Sequence, residues 1–521
     1  MKKTTGCLLP ALLFVGLARA DVRLPNVFDE HMVLQREMKV PVWGWADPGE
    51  KVTVAFAGQR VAATADKDGK WRVLLAPLQT SAVGSDFKVT GKNSIVLKDV
   101  LVGEVWLCGG QSNMESELNW CCPDDGKTAD IPLFRIVKAD HVLAPTPQDD
   151  VKTRRWMICE PGKAMQICGT GFYFARKLVQ ELKIPVGLLD TSWGGANITF
   201  WIPVDSYKNM PALRPQWEKE TAQAHAMTKE FMEKKSQDKE FQEKNAKWIE
   251  EARKSLDTPD IICSRVDGMP ERREFGQMYN GLVHPFAPYA IRGLLWYQGE
   301  YNANDGDYYV DEMKGLIEGW RKTWGQGVFP AYFVQLPNHQ APTNDPAGGN
   351  GWANIRNAQT KTVAAVPNTG MIVTIDVGEN EDIHPKNKLD VGERLALWAL
   401  AKNYGKKIVY SSPFFKDLKV ERNKIRIMFD TVGSGLMVGK KDGKTPAVED
   451  KGGKLQRFAI AGADKKWFWA DAVIDGATVV VSSADVPKPV AVRYAYSMNP
   501  EGCNLYNKNG LPAGPFRTDN W

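Results

Sequence analysis

Past its first twenty residues the chain has no run of the ~18 consecutive apolar residues that a membrane-spanning helix needs, which argues against a helical membrane body. Charge of one sign is also lacking, since 67 Lys and Arg stand against 62 Asp and Glu. Without a basic excess, no nucleic-acid partner is expected. The eight cysteines show no repeated spacing of the kind that builds a zinc module, so no structural metal is expected. Cys121 and Cys122 are adjacent, Cys159 lies nine positions before Cys168, and no connectivity can be read from them. Histidine is rare, at six in 521 residues, which narrows the choice of any catalytic base. There is no internal repeat and no low-complexity segment.

What is present begins with a leader. Lys2 and Lys3 precede an apolar run from Leu8 to Leu17, and Ala18-Arg19-Ala20 offers small residues where a signal peptidase reads. Residues 1–20 are therefore expected to be removed before Asp21, with the mature chain secreted or periplasmic. Loss of Lys2, Lys3 and Arg19 takes the formal net charge from +5 to +2. Loss of Cys7 leaves seven cysteines, an odd number that keeps at least one thiol free within a single chain.

From 21 to about 100, short alternating runs such as Lys51-Val52-Thr53-Val54-Ala55-Phe56 are broken by Pro-Gly and Asp-Gly, predicting a small antiparallel β-rich unit. From 101 to 405 the text changes to continuous apolar strands followed by helix-length segments. Val105 to Cys108, Pro185 to Leu189, Gly293 to Tyr297, Ala331 to Val334 and Met371 to Ile375 are such strands. Runs apolar on both faces predict a parallel sheet covered by helices, for which Gly171 to Leu182, Asp307 to Trp324 and Lys388 to Tyr404 are candidates. A stretch rich in Lys, Glu and Gln, 205–257, reads as a charged helical hairpin inserted into this α/β region: a lid, a dimer contact or a solvated excursion. Alternation returns from 406 to 521, as in Thr478-Val479-Val480-Val481, predicting a second β-rich unit.

The densest chemical signal is Gly109-Gly110-Gln111-Ser112-Asn113-Met114, directly after a strand. Glycines let the backbone turn out of the sheet, and a serine on that turn is presented at the strand ends. The same serine alone also reads as a helix cap. Three further strand-end loops carry polar residues: Ser192-Trp193-Gly194-Gly195, Gln298-Gly299-Glu300 and Asp382-Ile383-His384-Pro385. In open parallel sheets ligands sit outside the carboxyl ends of the strands, so four loops can converge on one crevice. Ester cleavage needs a nucleophile, a base, a group that orients the base, and oxyanion donors. Ser112, His384 and Asp382 supply the first three. The N–H of Ser112, an N–H at Gly194 or Gly195 and the amide of Gln298 are candidate donors. Of the other histidines, His31 and His141 lie in the N-terminal unit and an early loop, His225 in the insertion and His339 past a strand. His284 sits among apolar residues as a hydrogen-bonded core histidine would. Trp193 has the character of either a sugar-stacking or a packing residue.

These blocks, with Gly103-Glu104-Val105-Trp106, Trp296-Tyr297 ahead of Gln298, and Phe516-Arg517-Thr518-Asp519 near the end, resemble the bacterial sialate O-acetylesterases of the SGNH (GDSL-like) hydrolases. The resemblance runs through nearly all of the mature chain and is weakest in 205–257. It implies a flavodoxin-like hydrolase domain flanked by β-rich regions, no metal and no organic cofactor, and hydrolysis of O-acetyl esters on sialic acid through an acyl-enzyme. A related family, the acetylxylan esterases, is the neighbouring alternative in substrate. An inactive carbohydrate-binding surface protein is the alternative in class. Two departures stand out. The superfamily places its acid three residues before the histidine, where Glu381 stands, whereas the closer family points to Asp382. The superfamily's third block carries an Asn donor where this chain has Gln298.

Overall fold

The computed structural model describes residues 21–270, 272 and 274–521; the leader expected at 1–20 lies outside them. Six strands of the central sheet run parallel: β1 (Ser94–Gly110), β2 (Ile131–Ala139), β4 (Val186–Asp190), β5 (Gly293–Tyr297), β6 (Ala331–Val334) and β7 (Thr369–Ile372). The seventh, β3 (Thr153–Cys159), pairs antiparallel with β2, so the sheet is mixed rather than wholly parallel as the sequence suggests. Its order is β7-β6-β5-β1-β4-β2-β3.

The β2–β3 hairpin escapes a reading based on apolar runs because charges interrupt it. Arg135 and Lys138 are nonetheless buried in β2, each compensated by a carboxylate from elsewhere in the chain: Asp99 at 2.8 Å and Glu115 at 3.0 Å. Burial of a charge is tolerated only with such a partner.

Helices α2 (Gly169–Leu182), α3 (Tyr308–Trp324), α4 (Ala353–Ala365) and α5 (Lys388–Lys402) pack on the sheet, α2 against α5 and α3 against α4. Three of these four match sequence expectations within two residues. The α5 helix buries Val391, Leu395 and Trp398 at helical spacing, and Asn387 caps it by accepting the Asp390 N–H at 3.1 Å. In the charged stretch, helices Arg214–Lys234 and Ala246–Leu256 pack on each other as a hairpin.

The first strand matters most for placement. β1 is 17 residues long: its first half pairs with Ser81–Thr90 of the N-terminal β region and its second half with β4 and β5. Phe28, Val54 and Phe87 accordingly share one contiguous apolar core with Trp106, Trp296 and Leu395. The C-terminal region has two four-stranded sheets and a separate core around Ile425, Val479, Phe458 and Phe516. Among the described residues no helix is long and apolar enough to cross a membrane.

Candidate active site

Strand register brings the site together. Asp190 pairs with Cys108 and Tyr297 with Gly110, so the ends of β4, β1 and β5 lie side by side and their loops leave in one direction. Gly110 has φ of +134°, and a Cβ there would lie 2.1 Å from the Tyr297 carbonyl oxygen, so only glycine fits this turn. The chain then enters a single helical turn, α1 (Ser112–Glu115 in extent, ahead of α2).

Ser112 is not the cap of that turn. Gln111 holds the capping position, and Ser112 Oγ instead lies 2.8 Å from His384 Nε2. The His384 Nδ1 lies 3.4 Å from Asp382 Oδ1, and the same oxygen accepts the His384 main-chain N–H at 2.9 Å. Asp382 thus anchors both the ring and the backbone of the histidine loop. Glu381 is exposed and makes no hydrogen bond or ion pair among the described residues. Burial lowers the His384 pKa by more than the Asp382 charge raises it, so the neutral ring is favoured. Trp120, 42% exposed, stands edge-on to the imidazole at 5.6 Å on the rim of the site.

Two of the expected oxyanion donors are engaged elsewhere. The Gly194 N–H donates to Glu115 Oε2 at 2.7 Å. Gln298 is fully buried: its Nε2 donates to Asn302 Oδ1 at 2.6 Å and to the Ala196 carbonyl at 3.3 Å, while its Oε1 accepts from Tyr309 at 2.8 Å. Both amide hydrogens are therefore spent on the protein's own interior, a correction to the expectation for Gln298. The N–H groups of Ser112 and of the exposed Gly195 find no acceptor among the described residues. A Cβ on Gly194 would sit 3.3 Å from that of Ser112, which places this turn against the Ser112 turn.

Several supporting residues are not evident from sequence. Asn113 is wholly buried and ties three loops: its amide donates to Glu300 Oε1 at 2.6 Å and to the Ile383 carbonyl at 3.1 Å, and its oxygen accepts from Lys388 Nζ at 2.6 Å. Burial pushes the Lys388 ammonium down to about 8 and the Glu300 carboxyl up. Glu115 Oε1 meets Lys138 Nζ and His141 Nε2, each at 3.0 Å. Burial raises the Glu115 pKa, but His141, Lys138 and the Gly194 N–H outweigh it and hold the carboxyl at about 2. His141 also stacks on Trp193, with centroids 4.2 Å apart and planes 7° from parallel, so one face of that indole is already covered. His284 is tied through Nδ1 to the Gln148 carbonyl at 2.8 Å, hydrogen-bonded as expected but half-buried rather than within the core.

Known proteins carry the same text. The profile of the family described as carbohydrate esterase, sialic acid-specific acetylesterase, matches residues 102–269 and 269–401, more than half of the chain. The mouse sialate O-acetylesterase is 28% identical, with 95% of this chain and 94% of that protein aligned. The human sialate O-acetylesterase is 26% identical over 98% of this chain and 95% of its own. The crystal structure of a carbohydrate acetylesterase from Xanthomonas citri superposes with a TM-score of 0.78 at 33% identity, covering 96% of this chain and all of that one. With the profile spanning the strand ends that carry Ser112, the Gly194 turn and His384, the chain belongs to the carbohydrate esterase family of sialic acid-specific acetylesterases.

Proposed function

We propose that this chain hydrolyses O-acetyl esters on sialic acids, with Ser112 as nucleophile, His384 as general base and acid, and Asp382 as the group that orients His384. The observation that carries this reading is the 2.8 Å contact between Ser112 Oγ and His384 Nε2 at the carboxyl ends of the sheet. Ser112 Oγ attacks the acetyl carbonyl while its proton passes to His384. The tetrahedral oxyanion lies against the N–H groups of Ser112 and Gly195. His384 returns the proton to the sugar oxygen as that bond breaks, leaving acetyl-Ser112. Water, deprotonated by the same ring, then releases acetate.

The parallel strands β4-β1-β5-β6-β7 follow the order 2-1-3-4-5 of flavodoxin-like sheets, which supports the SGNH assignment once the β2–β3 hairpin is set aside as an edge addition. The leader at 1–20 supports export. Acetate release from O-acetylated N-acetylneuraminic acid, compared with that from acetylated xylan, tests the substrate. Preference for the sialic acid is expected, and preference for xylan would overturn it. An organophosphonate is expected to label Ser112 and abolish both activities.

A further inference from the structure

At the end of the sheet away from Ser112, a cavity of about 360 Å³ opens between the N-terminal β region and the segment that precedes β5. Its near wall is the ribbon formed by Val40–Trp45 and Lys70–Leu75. In this ribbon Trp43 pairs with Arg72 and Trp45 with Lys70, so alternation places all four side chains on one face. Both indoles are half-buried. His284 and Pro288 close the far side. Trp71, between Lys70 and Arg72 on the same strand, points its ring to the other face of the ribbon and into the core.

The charges around the cavity are unequally matched. Lys70 is paired with Asp149 at 2.7 Å, and Asp66 turns its Oδ1 back onto the N–H groups of Asp68 and Lys70, each at 2.9 Å. Arg72 is exposed and makes no ion pair or hydrogen bond among the described residues. Arg23, outside the cavity lining, lies over the Trp45 ring at 4.9 Å and covers that face of the indole, leaving Trp43 as the open one. A half-buried indole beside a guanidinium that has no carboxylate partner among the described residues offers what a sugar ring carrying a carboxylate requires. The ring's C–H faces stack on tryptophan, and a guanidinium binds the carboxylate through two N–H groups.

We infer that this cavity is a second, non-catalytic binding site for an acidic monosaccharide unit, with Trp43 as stacking platform and Arg72 as carboxylate anchor. Such a site would hold the enzyme on a glycan that presents several acidic sugars while Ser112 works on another, an effect of local concentration rather than of chemistry.

The test is binding of N-acetylneuraminic acid, followed by saturation-transfer NMR, to enzyme whose Ser112 has been covalently blocked with an organophosphonate. Saturable binding is expected to persist in the blocked enzyme and to weaken at least tenfold in Arg72→Gln, a change at an exposed position that leaves the core untouched. Trp43→Phe is expected to weaken it as well, and neutral N-acetylmannosamine is expected to bind at least tenfold more weakly. Absence of binding in the blocked enzyme, or binding indifferent to Arg72→Gln, would overturn the site. Because the readout is binding, a failure here is separable from a failure of the Ser112 mechanism, which is read from acetate release. Should the reagent not attach to Ser112, the same comparison of Arg72→Gln with the parent enzyme is made on Ser112→Ala protein.

Discussion

Ser112 and His384 lie 272 positions apart and are joined by a single hydrogen bond, on which the proposed mechanism rests. For His384 to accept the Ser112 proton it must be neutral. Burial lowers its pKa from the ordinary value of about 6.5, so the ring stays neutral to lower pH than a free histidine would. The expected profile of kcat/KM rises through one ionisation whose midpoint lies below about 6.5 and then levels; a midpoint above about 7 would contradict the environment described for this ring. Asp382 is within reach of the imidazole and Glu381 is turned to solvent. Asp382→Asn is therefore expected to reduce kcat by about 10²- to 10⁴-fold and Glu381→Gln by less than about twofold. The reverse pattern, measured as acetate release, would restore the superfamily spacing. The Ser112–His384 contact was legible in sequence because few residue types can do this chemistry and His384 follows an acid by two positions in a strand-end loop, although Asp140-His141 just past β2 carries a similar local signal. Glu115, Lys138 and His141 were not: each reads locally as surface charge, and they meet only because β1 and β2 flank β4.

At the scale of elements, the loop between β7 and α5 carries His384 and is held at both ends. Asp376, at its start, receives two hydrogen bonds from Arg394 of α5, at 2.7 and 2.8 Å, and one from Tyr506 at 3.2 Å. Both members of the Arg394–Asp376 pair are nearly sealed from water, at 6% and 3% side-chain exposure. Arg394→Ala would leave a buried carboxylate without its partner, and a loss of about 3–5 kcal/mol in unfolding free energy is expected by chemical denaturation. A change under about 1 kcal/mol would mean that the pair contributes little. The helix itself was readable from its apolar spacing, whereas α4 was missed. That helix buries Arg356, Gln359 and Thr362 alongside Ile355 and Ala358, so its inward face carries polar groups that no hydrophobic pattern announces. Distant carbonyls satisfy Arg356, those of Leu336 and Ser497 at 2.8 and 2.6 Å, and Gln359, while Thr362 donates to Ala358 of its own helix.

Across the whole molecule, the C-terminal region is tied to that same loop and to α5. Asn499, fully buried, donates to Asn380 Oδ1 at 2.7 Å, Asn380 donates to Glu501 at 3.0 Å, and Lys441 pairs with Asp390 at 2.8 Å. Its β-rich character was legible from alternation, but this grip was not, since asparagines at such distance carry no pattern. Asn499→Ala removes the acceptor of the buried Asn338 amide and the ties to Gln340, Asn380 and Glu501, so a loss of about 1–3 kcal/mol in stability and a several-fold fall in kcat are expected together. Unchanged kcat in that variant would show that the C-terminal region is not coupled to the histidine loop. The central claim, that Ser112 carries the acetyl group, is tested most directly by acetate release from O-acetylated N-acetylneuraminic acid with Ser112→Ala, checked for unchanged thermal unfolding. Turnover at least 10³-fold below the parent enzyme is expected; a folded Ser112→Ala protein that releases acetate at close to the parent rate would contradict the mechanism.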